Sequence, residues 1–130
     1  MQELIRKDLA HPELSYKIMG IAFTVSNQLG YGHLEKIYQR AFAKELELQR
    51  LKFKEQVPYS VSYKGEIIGK SYLDFLIDDS VIVELKRNDI FSKKNIEQVT
   101  NYLKVSDLKL AILIHFSKDG VKYKRILNVK

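Results

Sequence analysis

Apolar residues recur at three- and four-residue steps along the first third of the chain. Ile18, Ile21, Ala22, Val25 and Leu29 mark one face of a helix over residues 14–29. Pro12 stands near its start, where a missing N–H does no harm, and Gly30 is suited to end it in a left-handed conformation. After the Gly30-Tyr31-Gly32 break, Leu34, Ile37, Tyr38, Ala41, Phe42 and Leu46 share a face of a second helix that runs to about Gln49. The pattern then becomes alternating. Leu51 and Phe53, then Tyr59, Val61 and Tyr63, each separated by a polar residue, predict strands with one buried face, and Lys64-Gly65 supplies a turn. Pro58 would cost a ladder hydrogen bond in a central strand, so it belongs at a strand start or a sheet edge. Residues 71–77 and 81–86 read as two strands joined around Asp78-Asp79-Ser80, apolar enough to be buried on both faces at the centre of the sheet. Ser92 is suited to cap a third helix, with Ile96, Val99, Thr100 and Leu103 on its packing face and an exit at Val105-Ser106-Asp107. A nearly unbroken apolar strand, 110–116, is followed by an Asp119-Gly120 turn and a last strand, 121–127.

Two helices, three or four strands, a helix and two strands make an α/β fold: a mixed central sheet flanked by helices. With 130 residues, 45% hydrophobic, and only 6 glycines and 2 prolines, the chain reads as one domain over 1–130 with no linker. The absence of cysteine excludes disulfides, zinc ribbons and cysteine nucleophiles, and it fits a reducing compartment. His11, His33 and His115 are too dispersed for a local zinc motif, and no function is assigned to them. No run approaches the roughly 18 apolar residues of a membrane span. The start of the chain lacks the basic-then-apolar order of a secretory signal, so the expected location is the cytoplasm, with no membrane partner. A net charge of +6 suits a polyanionic partner, though it is a weak pointer alone.

The candidate chemistry lies between Asp74 and Lys86, where three ionisable side chains interrupt the most apolar part of the sheet. Alternation puts Ile82, Glu84 and Lys86 on one strand face, and Val81, Val83 and Leu85 on the other. A three-residue loop at 78–80 pairs Ile77 with Val81 and sets Asp74 opposite Glu84; a two-residue loop would put the acids on opposite faces. In the first case two carboxylates about 5 Å apart at Cβ need a cation or a proton between them. With the Leu85 carbonyl they form a hard donor set suited to Mg²⁺ or Mn²⁺. An isolated E-x-K is equally the pattern of an ordinary ion pair on a solvated face.

In company, these residues resemble a known signature. Asp74 followed by Glu84-Leu85-Lys86 is similar to the D…(D/E)-x-K pattern of the PD-(D/E)xK nuclease superfamily, with Leu73 where the eponymous proline would stand. Gly32-His-Leu-Glu35-Lys-Ile-Tyr38 resembles the motif of its GxxExxY family, and Gln98-Val-Thr-Asn-Tyr102 resembles a Q-x-x-x-Y motif on the following helix. The resemblance implies a restriction-endonuclease-like αβββαβ core with an extra N-terminal helix. It also implies a metal-dependent nuclease that hydrolyses phosphodiester bonds of DNA or RNA through a metal-activated water. Asp74, Glu84 and the Leu85 carbonyl would hold the metal, with Glu35 as a further carboxylate at its edge. Lys86 would be the catalytic lysine, and Gln98 and Tyr102 would position lysine or substrate.

Helical position alone does not select Glu35, since Glu45 lies nearer the centre of the apolar stripe, and Tyr38 reads as core packing. Gln98 and Tyr102, one turn apart, are also a plausible exposed pair. Arg87, Lys93 and Lys94 bracket the loop after the E-x-K strand and, with Lys118, Lys122, Lys124 and Arg125 of the final hairpin, could flank a phosphate-binding cleft or be solvated surface. The competing reading is a catalytically silent nucleic-acid-binding or assembly module on the same fold. A homodimer or an accessory protein partner stays open.

Overall fold

The computed structural model describes residues 10–87 and 92–128. The start of the chain, which lacks the order of a secretory signal, and residues 88–91 lie outside the described residues. Helices α1 (Pro12–Leu29) and α2 (Glu35–Leu48) are followed by β1 (Phe53–Tyr63), β2 (Glu66–Ile77) and β3 (Val81–Lys86). Helix α3 (Lys93–Ser106) then leads into β4 (Leu110–Ser117) and β5 (Gly120–Leu127). The strands lie in one five-stranded sheet in the order β1-β2-β3-β4-β5, all neighbours antiparallel except β3 and β4. Parallel neighbours need a crossover, and α3 is that crossover.

The sheet carries a helical layer on each face. On one, α1 and α2 bury Ile18, Ile21, Val25, Tyr38, Phe42 and Leu46 against Phe75, Val83, Leu85, Ile112 and Ile114. On the other, α3 packs Val99, Tyr102 and Leu103 against Leu73, Ile82, Ala111 and Leu113. Strand β3 is the double-sided centre that its apolar run predicts, but β2, expected to share that place, is buried only over residues 73–77, and it is β4 that is buried along its whole length; Pro58 sits in the edge strand β1. Ser92 caps α3 by accepting a 3.1 Å hydrogen bond from the Asn95 N–H. Gly30 ends α1 with φ 73° but ψ −168°, a glycine-accessible extended conformation rather than the left-handed helical one expected.

Two local features set the site's geometry. The Asp78-Asp79-Ser80 loop has three residues, with φ 53° at Asp78 and 52° at Asp79, and it pairs Ile77 with Val81. Asp tolerates this left-handed region better than most residues. A 2.8 Å bond from the Asp78 N–H to the Lys52 carbonyl and an ion pair of Asp79 with Lys52 at 2.6 Å hold the loop. The second feature lies where Gln56 (φ 50°) faces Asp74: the rungs Glu55↔Phe75 and Val57↔Leu73 are paired, and the rung between them is not. Phe53 and Phe75 pack beneath α1 and α2, whereas Val57 and Leu73 pack beneath α3. Both strands thus reverse the face they present as they pass this rung, which strict alternation would not allow.

The Gly30–Leu34 connection is pinned by Tyr38, which is fully buried and stacks on Phe116 at 4.4 Å between ring centroids. Its hydroxyl donates to the Gly30 carbonyl at 2.6 Å and accepts from the His33 N–H at 3.4 Å. Gly32, at φ 103°, lets the chain turn there into α2. Tyr38→Phe keeps the ring but loses the donor, and is expected to lower the unfolding free energy by about 1 kcal/mol. Tyr38→Ala, which also empties the ring's volume, is expected to cost about 3–5 kcal/mol. Urea denaturation of the two variants checks both values; equal losses would show that the ring contributes nothing beyond the hydroxyl.

Candidate active site

Strands β2 and β3 stay paired from Ile77↔Val81 to Phe75↔Val83 and then part. At the next rung the acids replace the ladder. The Asp74 N–H donates to Glu84 Oε1 at 2.6 Å, and the Leu85 N–H donates to Asp74 Oδ2 at 2.8 Å. Each carboxylate therefore closes the backbone of the opposite strand, and the three-residue loop has placed the two side by side. Both are buried, Asp74 at 8% exposure and Glu84 at 3%.

Two further groups reach this pair. Lys86 Nζ lies 3.5 Å from Glu84 Oε2 and 3.6 Å from Glu35 Oε1, so one ammonium group links the strand to the start of α2. Gln39, one turn beyond Glu35, donates from Nε2 to Asp74 Oδ1 at 3.0 Å. The sequence reading overlooked Gln39, although its place four residues after Glu35 puts it on the same helix face. Asp74, Glu84, Lys86 and Glu35 thus come together. Gln98 and Tyr102 do not form a pair: Gln98 Nε2 donates to Ser71 Oγ at 3.0 Å, and Tyr102 is buried edge-on against Tyr59 with centroids 5.3 Å apart.

The cationic flank is also divided. Arg87 is exposed, and its Nη1 contacts the His33 carbonyl at 3.5 Å. Lys93 and Lys94 are exposed at the start of α3, with Lys93 4.0 Å from Glu97. Arg125 is drawn off to the Ala10 carbonyl at 2.6 Å, while Lys122 and Lys124 are exposed on the edge strand β5. His33 is exposed and bonds the Leu29 carbonyl, and His115 is buried in β4.

Burial dominates the electrostatics. It raises the pKa of Asp74, against the lowering effects of the Leu85 N–H and Lys86. Burial together with the neighbouring Asp74 charge pushes Glu84 up to about 7. Burial alone would depress Lys86, but the negative charges of Glu84, Glu35 and Asp74 outweigh it and hold the amine above its ordinary value. The cluster is an acid pair short of positive charge, with one cation at its rim. Among the described residues, no three acidic or histidine side chains gather to hold a metal ion by themselves.

A mixed sheet between helical layers, with two acids and a lysine where its strands part, is the organisation of the restriction-endonuclease-like fold. The chain belongs to the PD-(D/E)XK nuclease superfamily, whose family model matches residues 12–126. The solved structure of a protein designated SSO0001 is similar, with a TM-score of 0.59 and 18% identity over 73% of this chain and 50% of that one. An alkaline exonuclease from Laribacter hongkongensis matches with a TM-score of 0.51 and 12% identity, covering 92% of this chain and 71% of that one. The chain spans half the length of SSO0001. No curated protein matches it. No helix among the described residues is long and apolar enough to cross a membrane.

The raised acid pKa values give stability a definite pH sign. Between the ordinary glutamate value of 4.5 and about 7 the folded protein holds a proton on Glu84 that the unfolded chain releases. Stability from this group is therefore fully present below pH 4.5 and is lost as pH rises through about 7. The loss is on the order of 3 kcal/mol. In EDTA, Glu84→Gln and the parent protein should melt together near pH 5. By pH 8 the variant should melt several degrees higher, as followed by differential scanning fluorimetry. A difference that does not change with pH would overturn this account of the pair.

Proposed function

We propose that this protein is a divalent-metal-dependent nuclease of the GxxExxY branch, hydrolysing phosphodiester bonds in DNA or RNA. One observation carries the reading. Asp74 and Glu84 are buried side by side on diverging strands, and Lys86 is held cationic beside them. Membership of a nuclease superfamily supports it.

The donor chemistry fits a hard divalent ion. Asp74 and Glu84 each keep one oxygen that no backbone N–H occupies, and both sit where added positive charge offsets the cost of burial. Two carboxylates with a backbone carbonyl such as that of Leu85, completed by solvent, suit Mg²⁺ or Mn²⁺, which seldom relies on an all-protein cage. Such an ion supplies Lewis-acid polarisation of a phosphoryl oxygen and lowers the pKa of water. The chain's own groups do the rest. Lys86 presents N–H donors to the charge that develops on the reacting phosphate. Glu35 bonds the ammonium from α2 and sets its direction. Gln39 fixes the rotation of the Asp74 carboxylate, leaving Oδ2 on the Leu85 N–H. Arg87, which reaches the His33 carbonyl ahead of α2, and Lys93 and Lys94, exposed at the start of α3, offer phosphate contacts. Gln98 acts on β2 through Ser71, and Tyr102 supports the sheet beneath Tyr59.

A silent binding module on the same fold is the second reading. It is favoured by one fact: the two acids already serve as structural bridges between strands. Cleavage of labelled single- and double-stranded oligonucleotides in Mg²⁺ or Mn²⁺ separates the two. Glu84→Ala and Lys86→Ala are each expected to lower the rate at least a hundredfold. Mn²⁺ titration should show Lys86→Ala still binding the ion and Asp74→Ala losing it. Cutting that survives both Glu84→Ala and Lys86→Ala would end the nuclease assignment at this site. Oligonucleotide binding without metal binding would establish the silent module.

A further inference from the structure

The hairpin of β1 and β2 reaches well past the sheet. β3 pairs with β2 only across residues 75–77, so among the described residues the outer part of β2 has β1 as its sole strand neighbour. This ribbon is not covered equally on its two sides. Helix α3 backs one face, through Tyr59 on Tyr102 and Ser71 on Gln98. On the other face alternation places Pro58, Ser60, Lys70 and Tyr72, and all four are exposed. Tyr72 is 51% exposed, with Lys70 Nζ standing 5.9 Å from its ring centroid. At the tip the arrangement recurs, with Lys64 Nζ 5.4 Å from the centroid of Tyr63, which is 59% exposed.

This uncovered face begins at the acid pair. Tyr72 is two residues from Asp74 along β2, and Lys70 is two further on, so the three positions stand in steps of about 7 Å. An aromatic face accepts any base by stacking, and an ammonium group neutralises the phosphate beside it. An extended single strand presents those two groups in alternation along its length. Lys70, Lys64 and the net charge of +6 complement its backbone. The outer end of the ribbon also exposes Val61, Tyr63, Ile67 and Ile68, so what selects the occupant is the lysine standing beside each of Tyr72 and Tyr63, which favours a polyanion over an apolar protein surface.

We infer that the outer β1–β2 ribbon is a single-strand-binding arm, on which Tyr72 stacks a base and Lys70 contacts a phosphate while the strand runs towards Asp74 and Glu84. The inference rests on the nuclease reading and deepens it, by naming a single-stranded segment as what the site receives.

The test measures binding separately from cutting. Anisotropy of fluorescein-labelled oligo-dT and oligo-rU 15-mers is followed in EDTA and in Ca²⁺, with the intact protein and single variants. Tyr72→Ala is expected to weaken binding at least fivefold, with Tyr72→Phe close to wild type. Lys70→Ala should weaken it and reduce the slope of log Kd against log salt by about 0.7. Tyr16→Ala, at an 83% exposed position on α1, should change nothing. Melting temperatures verify that the variants are folded. If the wild type binds and Tyr72→Ala and Lys70→Ala bind equally well, the arm is overturned and the nuclease reading stands. If sedimentation shows a dimer that Tyr72→Ala dissociates, the ribbon joins two copies and the inference is likewise overturned. A wild-type protein that binds neither oligonucleotide overturns the arm, and binding of a labelled 15-base-pair duplex in the same assay then shows whether the nucleic-acid reading survives it.

Discussion

The structure turns on a reciprocal bond: Asp74 accepts from the backbone of β3 while Glu84 accepts from the backbone of β2. Diverging strands leave N–H groups that must find acceptors, because a buried donor without one costs as much as a lost hydrogen bond. The two acids meet that need, and in doing so they are brought out of water and towards each other. A structural requirement and an electrostatic strain are created by the same two contacts. Neutral amides could close the strands as well. Carboxylates gather negative charge that only a proton or a cation relieves.

How far Lys86 relieves it can be judged from distances. Its ammonium stands 3.5 Å from Glu84 and 3.6 Å from Glu35, shared between two acids, while Glu84 still rises to about 7. One cation for three nearby carboxylates leaves an excess of negative charge. Because Asp74 and Glu84 are buried, that excess is screened less than it would be on the surface. Gln39 adds a dipole but no charge, so it orients Asp74 without neutralising it.

Much of this was legible in the chain, for identifiable reasons. The apolar run of β3 pointed to the centre of the sheet and Pro58 to an edge, whereas the apolar end of β2 hid the exposed ribbon that precedes it. The register of Asp74 against Glu84 was narrowed to two loop lengths but not decided. The choice depends on Asp78 and Asp79 both adopting positive φ, held by Lys52 just before β1, and that contact is not local. The reversal of face at Gln56 and Asp74 was hidden for a similar reason. A periodic pattern assumes regular backbone, and Leu73 and Phe75, two residues apart, serve opposite cores. Gln98 and Tyr102 looked like a pair by helical spacing, yet each is claimed by a different partner on the sheet, Ser71 and Tyr59.

The interrupted rung also explains why the sheet can do two jobs with one strand. From Phe75 onwards β2 lies between β1 and β3, roofed by α1 and α2, and behaves as core. Before Leu73 it belongs to a ribbon held from the α3 side, with its other face open. Asp74 falls on the boundary, buried enough for its pKa to rise and close enough to Tyr72 and Lys70 to meet whatever lies along the open face. A regular strand would have carried the roofed face straight outward, with the same side chains pointing the same way. The left-handed residue at Gln56, opposite the acid, marks where the sheet stops being interior and becomes surface.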